Sequence, residues 1–252
     1  MKKNPASLAF HKIPTTREEI KSTIEKSCIP SLYWILSGKA GSGKTLVMEN
    51  IASAECYPLH SSRLIDKNIC TQLLFESLLA KELCQQPLRF LVEDKGRKVA
   101  HLSIPDKLLG AWNKAPHFVV ETPLETRVEN IYQAHVAHQA EDKAQLVYLE
   151  QNQERLGREL YHKLRKLCEA ATFEKDAELH KEWIRLLIIE HLDPVFEYYF
   201  QHKRASVLFS GSIDEVSLYL KNEIDILKTS AANPEKKNTS GSSKQKSQES
   251  KV

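Results

Sequence analysis

The chain has 252 residues, 41% apolar and 27% charged, with 36 Lys and Arg against 33 Asp and Glu, enough to bury one sizeable core in a domain of roughly 200 residues. Five lysines and two glutamates lie in residues 229–252, so residues 1–228 carry 31 groups of each sign; bulk charge does not make the body a polyanion binder, and only a local patch would. No stretch approaches the ~18 apolar residues of a membrane span, since Trp183–Leu192 is broken by Arg185, Glu190 and His191, and the basic N-terminus has no apolar segment behind it to act as a secretory signal. Cys28, Cys56, Cys70, Cys84 and Cys168 are odd in number and form no Cys-x-x-Cys pair, which predicts unpaired, buried thiols in a reducing cytoplasm and no structural zinc.

Residues 1–30 read as a lead-in with one helix at Arg17–Lys26, capped by Thr15 or Thr16 with Glu19 in the first turn. A buried strand at Leu32–Leu36 runs into a glycine loop, and a helix follows at Leu46–Ala54. Apolar residues at 69, 73, 74, 78, 79 and 83 predict an amphipathic helix over Ile69–Leu83. Phe90–Val92 and Phe118–Val120 are short strands that each end in an acidic residue, and Glu125–Ala137 is helical. Charged helices cover Glu141–Ala171 and Glu174–Leu192, then come a strand at Val207–Phe209 and a helix at Ile213–Leu227. Alternation of helices with uninterrupted apolar strands predicts an α/β fold, a parallel sheet covered on both faces. Residues 31–228 form the domain, with a helical insertion at 140–203, and the tail 229–252, with no aromatic residue, is expected to be disordered.

Gly38-Lys39-Ala40-Gly41-Ser42-Gly43-Lys44-Thr45 fits the phosphate-loop pattern G-x-x-x-x-G-K-S/T and lies between a strand and a helix, as that motif requires; the fold class is therefore P-loop NTPase-like. Gly38, Gly41 and Gly43, with Ser42 between them, let backbone N–H groups converge on phosphate oxygens at a helix N-terminus. Lys44 would reach the terminal phosphates and Thr45 would ligate Mg2+. Glu93 and Asp94 end an inner strand at the sheet edge where α/β proteins place ligands, and either is a candidate to hold the metal, as a Walker B acid does. Arg97 and Arg127 are candidate phosphate clamps, and Glu121 ends another inner strand as a candidate substrate-positioning group. His135 and His138 sit three apart with no third ligand in view, so no metal site is expected there. Arg155, Arg158, Lys163, Arg165 and Lys166 read as a solvated helix face, with a local RNA contact as the alternative.

Three further strings follow the loop in order: Val92–Val99 with Ile104-Pro105, Ala115–Val128, and Asp193–Tyr198 with Lys203–Phe209. Together they resemble the C-terminal P-loop domain of bacterial tRNA 2-selenouridine synthase, from about Trp34 to Leu227. The resemblance implies a two-part enzyme in which a rhodanese-like domain with a reactive cysteine precedes the P-loop domain. That enzyme geranylates the sulfur of wobble 2-thiouridine from geranyl diphosphate, then exchanges the geranylthio group for selenium from selenophosphate. It further implies that Gly43, Lys44 and Thr45 hold a diphosphate and that Arg97 and Arg127 help neutralise the leaving pyrophosphate.

The chain departs from that pattern twice. About 30 residues precede the first strand, too few for a domain of ordinary ~100-residue size, so the expectation is a P-loop subunit acting with a separate rhodanese-like protein. Leu59–Ile65 contains no glycine, where the family carries a glycine-rich His-Arg-Gly-Ser-type segment. The expected substrate is the anticodon loop of tRNA, whose single-stranded bases are accessible, met by the helical insertion with its basic cluster and Tyr198-Tyr199; Tyr198 is a candidate substrate-positioning residue. Two rival expectations stand beside this one: a kinase or nucleotidase using Lys44, Thr45 and Asp94 with Mg2+ and ATP or GTP, and a scaffold that keeps the fold without the chemistry.

Overall fold

The computed structural model describes residues 13–53, 55–59, 71–85, 87–99, 101–137, 144–203 and 206–232. The order begins α1 (Arg17–Lys26), β1 (Tyr33–Ser37), α2 (Lys44–Ile51), β2 (Cys56–Leu59), α3 (Gln72–Leu83) and β3 (Arg89–Glu93). A small hairpin, β4 (Lys98–Val99) and β5 (Leu102–Ser103), leads to α4 (Asp106–Lys114), β6 (His117–Val120) and α5 (Leu124–His135). The helical arm comprises α6 (Ala144–Gln151), α7 (Gln153–Leu156), α8 (Arg158–Glu174), α9 (Ala177–Leu187), a π-turn (Ile188–Leu192) and α10 (Asp193–Lys203). β7 (Val207–Gly211) and α11 (Ile213–Ala232) close the described chain.

The five-stranded sheet has the order β2-β3-β1-β6-β7 and every pairing is parallel. β1 is central and all five of its residues are buried. Its alternating side chains feed two cores, as the two-residue strand period dictates. Tyr33 and Ile35 pack with Ile20, Ile24, Phe75, Leu79, Leu108 and Trp112 from α1, α3 and α4. Trp34 and Leu36 pack on the other face with Val47, Met48, Val216 and Leu220 from α2 and α11. The arm builds a third core from Leu149, Leu164, Cys168, Trp183, Ile184 and Ile188 with Val128 of α5. The chain leaves β1 first toward β2 and β3, and later returns to its other side as β6, so the β1 C-terminus is a switch point of the kind where open α/β sheets bind ligands.

Several expectations need amendment. The lead-in is part of the fold: Thr16 and Glu19 form a reciprocal capping box on α1, which buries Ile20 and Ile24 in the first core. β2 and α4 were not anticipated; Pro58 masks β2, and is tolerated because among the described residues that strand pairs only with β3. The helix expected to end at Leu192 continues through Pro194. That proline lacks the N–H that α-geometry would direct to Glu190, and the chain widens into the π-turn Ile188–Leu192 and runs on as α10. α11 extends to Ala232, past the boundary expected at Lys228, while residues 233–252 lie outside the described residues, as do Cys70, His138 and all of 59–65 except Leu59. Cys56 and Cys168 are buried, Cys28 and Cys84 half-buried, and all four are free thiols.

Candidate functional site

The phosphate loop closes the gap between β1 and α2 through backbone that only glycine adopts readily. Gly38 and Gly41 have φ of +149° and +75°, and a Cβ on them would lie 2.7 Å from the Val120 carbonyl oxygen and 2.6 Å from that of Arg127. Neighbouring elements hold the loop from outside. Thr122 Oγ1 donates to the Ser42 carbonyl at 2.9 Å, and Asn130 Nδ2 donates to the Gly41 carbonyl at 2.8 Å. The Lys44 ammonium folds over the loop, donating to the carbonyls of Gly38 at 2.8 Å and Lys39 at 3.0 Å. Burial pushes the Lys44 pKa down, opposed chiefly by the charge of Glu93. Thr45, the second residue of α2, is exposed.

The two carboxylates at the end of β3 have separate surroundings. Glu93 shares a strand face with Leu91, which packs against Val47 and Met48 of α2, and its carboxylate pairs with Lys95 at 3.2 Å. Asp94 Oδ1 lies 3.0 Å from Lys203 Nζ, both side chains only 4% exposed. Its Oδ2 accepts from Ser37 Oγ at 2.9 Å, and that hydroxyl lies 2.9 Å from His117 Nδ1. Burial, then the Lys203 charge, push the His117 pKa down to about 4, so the imidazole is neutral at pH 7. Tyr199, its own pKa pushed up to about 12 by burial and by Asp94, packs over Gly96 beside this network.

Arg127 is buried and makes bidentate bonds to Asp193 Oδ1 and Oδ2 at 2.7 and 2.8 Å, with a longer contact of 3.4 Å to the Ala40 carbonyl. Against burial, which acts to raise it, Arg127 holds the Asp193 carboxyl below the usual range. Lys39, inside the loop, pairs with Glu197 at 2.6 Å and with Asp193 at 3.4 Å. Lys39 and Arg127 thus face carboxylates of α10. Arg97 is exposed and pairs with Asp106 at 3.2 Å. Glu121 is also exposed and accepts from Ser210 Oγ of β7. Tyr198 is 67% exposed and packs on the His202 ring, whereas its neighbour Tyr199 meets the Asp94 network.

The basic cluster is exposed throughout; Lys163 and Arg165 pair along α8 with Glu159 and Glu169. Sequence reasoning assigned no role to Ser37, His117, Thr122, Asn130, Asp193 or Lys203. Most of them belong to the three strings that follow the loop, and their common neighbourhood was the available signal.

A phosphate loop at the switch point of a parallel five-stranded sheet, with helices on both faces, defines a P-loop NTPase-like α/β protein. A family model described as the tRNA 2-selenouridine synthase AAA domain matches residues 31–226, and the chain belongs to that family. Curated relatives carry the name tRNA 2-selenouridine synthase. The one from a Sulfurovum species is 30% identical over 216 residues, covering 74% of this chain and 59% of its own. That from Pseudomonas entomophila is 29% identical over 218 residues, 75% of this chain and 59% of its own. That from Photobacterium profundum is 26% identical over 223 residues, 75% of this chain and 60% of its own. The chain therefore spans about 60% of the length of these relatives. No solved structure matches. Among the described residues no helix is long and apolar enough to cross a membrane.

Proposed function

We propose that the chain is a diphosphate-binding P-loop unit of tRNA wobble-uridine modification. It holds geranyl diphosphate in the Gly38–Thr45 loop while the sulfur of 2-thiouridine is alkylated in the cytoplasm, together with a rhodanese-like protein. The observation that carries this reading is the support of the loop by the Ala115–Val128 string and the helical turn after it: Thr122 and Arg127 of the string, and Asn130 just beyond it, all bond loop carbonyls. In the reaction a carbon–sulfur bond forms as the carbon–oxygen bond to the diphosphate breaks, and pyrophosphate leaves with the bonding pair. Lys44 and the loop N–H groups would stabilise that charge. Where Mg2+ accompanies the diphosphate, Thr45 and Glu93 would supply the hard oxygen donors it prefers, Asp94 being buried against Lys203 while Glu93 pairs with the more exposed Lys95. The exposed basic residues of α8 and Arg155 are the proposed tRNA contacts.

A thermal-shift series with geranyl diphosphate, ATP and GTP, each with and without Mg2+, tests the reading, with Lys44→Ala as control. A ligand at 100 times its Kd adds about 2.7 kcal/mol, several degrees for a chain of this size. A Lys44-dependent shift with geranyl diphosphate is the expected result. A shift confined to Mg2+-nucleotide would replace the reading with a kinase or nucleotidase, and no shift with any ligand would leave a scaffold.

A further inference from the structure

A cavity of about 430 Å3 adjoins the phosphate loop and is lined on one side by Ala40 and Gly41. Its remaining walls come from three helical elements: Ile131 of α5, Tyr148 of α6, and Trp183, Ile184 and Leu187 of α9, with Leu192 at the end of the π-turn. Its volume falls within the ~300–1,000 Å3 range of small-ligand pockets. The polar members of the lining are His135 and Gln145, and Gln145 Nε2 is already bonded to the His135 carbonyl at 3.1 Å.

The ends of the cavity are tied to the anion site by the chain itself. Ile131 lies one helical turn beyond Arg127, and Leu192 immediately precedes Asp193, so the Arg127–Asp193 pair is joined through the chain to two residues of the lining. An anion cradle that shares two residues with an apolar cavity fits one ligand chemistry best: a charged head joined to a short hydrocarbon chain. A nucleobase fits less well, because its hydrogen-bonding edge would meet mostly aliphatic carbon.

We propose that this cavity holds the hydrocarbon chain of a prenyl diphosphate whose diphosphate sits in the Gly38–Thr45 loop, and that its depth sets the chain length accepted. The inference rests on the diphosphate reading of the loop and adds to it the residues that choose the chain. The π-turn then has a use: it brings Ile188 and Leu192 to the cavity while delivering Asp193 to Arg127.

The test is calorimetric titration of the full chain with inorganic pyrophosphate, dimethylallyl diphosphate, geranyl diphosphate and uridine. Two variants alter the cavity at tolerant positions: Ala144→Trp, exposed at the start of α6, fills it, and Leu192→Asn, half-buried, makes its wall polar. Each methylene buried is worth about fourfold in affinity, so geranyl diphosphate should bind at least ~100-fold more tightly than pyrophosphate. Both variants should cut that advantage by ~10-fold or more while pyrophosphate affinity stays within about twofold. Equal affinities for the three diphosphates, or an advantage both variants leave intact, overturn the cavity assignment while Lys44-dependent pyrophosphate binding still upholds the loop. Loss of all diphosphate binding overturns both, and uridine binding that Ala144→Trp abolishes makes the cavity a base site instead.

Discussion

Arg127 and Asp193, 66 residues apart in the chain, meet through two charge-assisted hydrogen bonds of 2.7 and 2.8 Å, with side chains only 6% and 14% exposed. Arg127 stands on the helix whose Asn130 braces the loop, and Asp193 begins the helix that carries Glu197, Tyr199 and Lys203. This buried ion pair, with the more exposed pairing of Lys39 to Glu197, fastens the helical arm to the phosphate loop. Arg127 also reaches the Ala40 carbonyl of the loop, so a phosphate-clamp role for it would compete with its pairing to Asp193.

Asp193→Asn keeps the shape of the carboxylate and removes its charge, leaving Arg127 buried without a counter-ion. Breaking a buried pair from one side costs about 3 kcal/mol or more, which for a chain of this size lowers Tm by roughly 6–12 °C. Pyrophosphate should recover more of that loss than it adds to the wild type, because the freed guanidinium can take the anion. Melting curves with and without pyrophosphate check both halves; an unchanged Tm would show that the pair does not anchor the arm.

Asp94 and Lys203 form the second long-range link, between the end of β3 and the end of α10. Asp94→Asn and Lys203→Met should each destabilise by about 3 kcal/mol, since each strands a buried charge. The double variant should cost less than the two singles together, with an interaction energy of at least ~1 kcal/mol in a double-mutant cycle by urea unfolding. Additive effects would mean that the two groups do not act as a pair.

His117 gives the stability of the fold a pH dependence of known sign. Its folded pKa is pushed down to about 4, below the ~6.5 of an unfolded chain, so between those values the unfolded state binds the extra proton. Stability is then fully present above pH 6.5 and falls as pH drops toward 4, by up to about 3 kcal/mol. Lys203 reinforces the effect and Asp94 opposes it. Urea unfolding of wild type and His117→Gln between pH 5 and 7 isolates the contribution, because most carboxylates stay ionised there. Parallel stability curves for the two proteins would remove His117 as the cause.

The sequence makes the inner strands and the phosphate loop readable for a physical reason: both are local, whereas the order of the strands in the sheet is not. β1, β3 and β6 are uninterrupted apolar runs, and the loop glycines Gly38, Gly41 and Gly43 fall within six consecutive residues. Asp94 with Lys203 and Arg127 with Asp193 are not readable that way, because helical and strand periodicities relate residues a few positions apart and say nothing about pairs that only the tertiary fold brings together. The same limit hid the side chains behind the network: Tyr198 and Tyr199 are indistinguishable by composition, and only the phase of α10 decides which one meets Asp94. The end expected at Leu192 fails differently: the chain widens there into a π-turn and runs on as α10 through Pro194.

Gly41 and Gly96 share a φ of +75° but differ in what a side chain would meet. At Gly96 an added Cβ makes an ordinary 3.7 Å contact with the Tyr199 ring, whereas at Gly41 it lies 2.6 Å from the Arg127 carbonyl oxygen, backbone that cannot rotate away. Gly96→Ala should therefore lose only the left-handed backbone term, about 1 kcal/mol. Gly41→Ala should lose that and more, at least ~2 kcal/mol in all, because relieving the contact displaces either α5 or the loop. The functional readouts should separate further still. Gly96→Ala is expected to retain the thermal shift with pyrophosphate, while Gly41→Ala abolishes it, since the shifted loop no longer points its N–H groups at one centre. Thermal melts of the two variants with and without pyrophosphate measure both effects together. Equal destabilisation, or an intact pyrophosphate shift in Gly41→Ala, would show that the close approach of α5 to the loop does not fix the anion site.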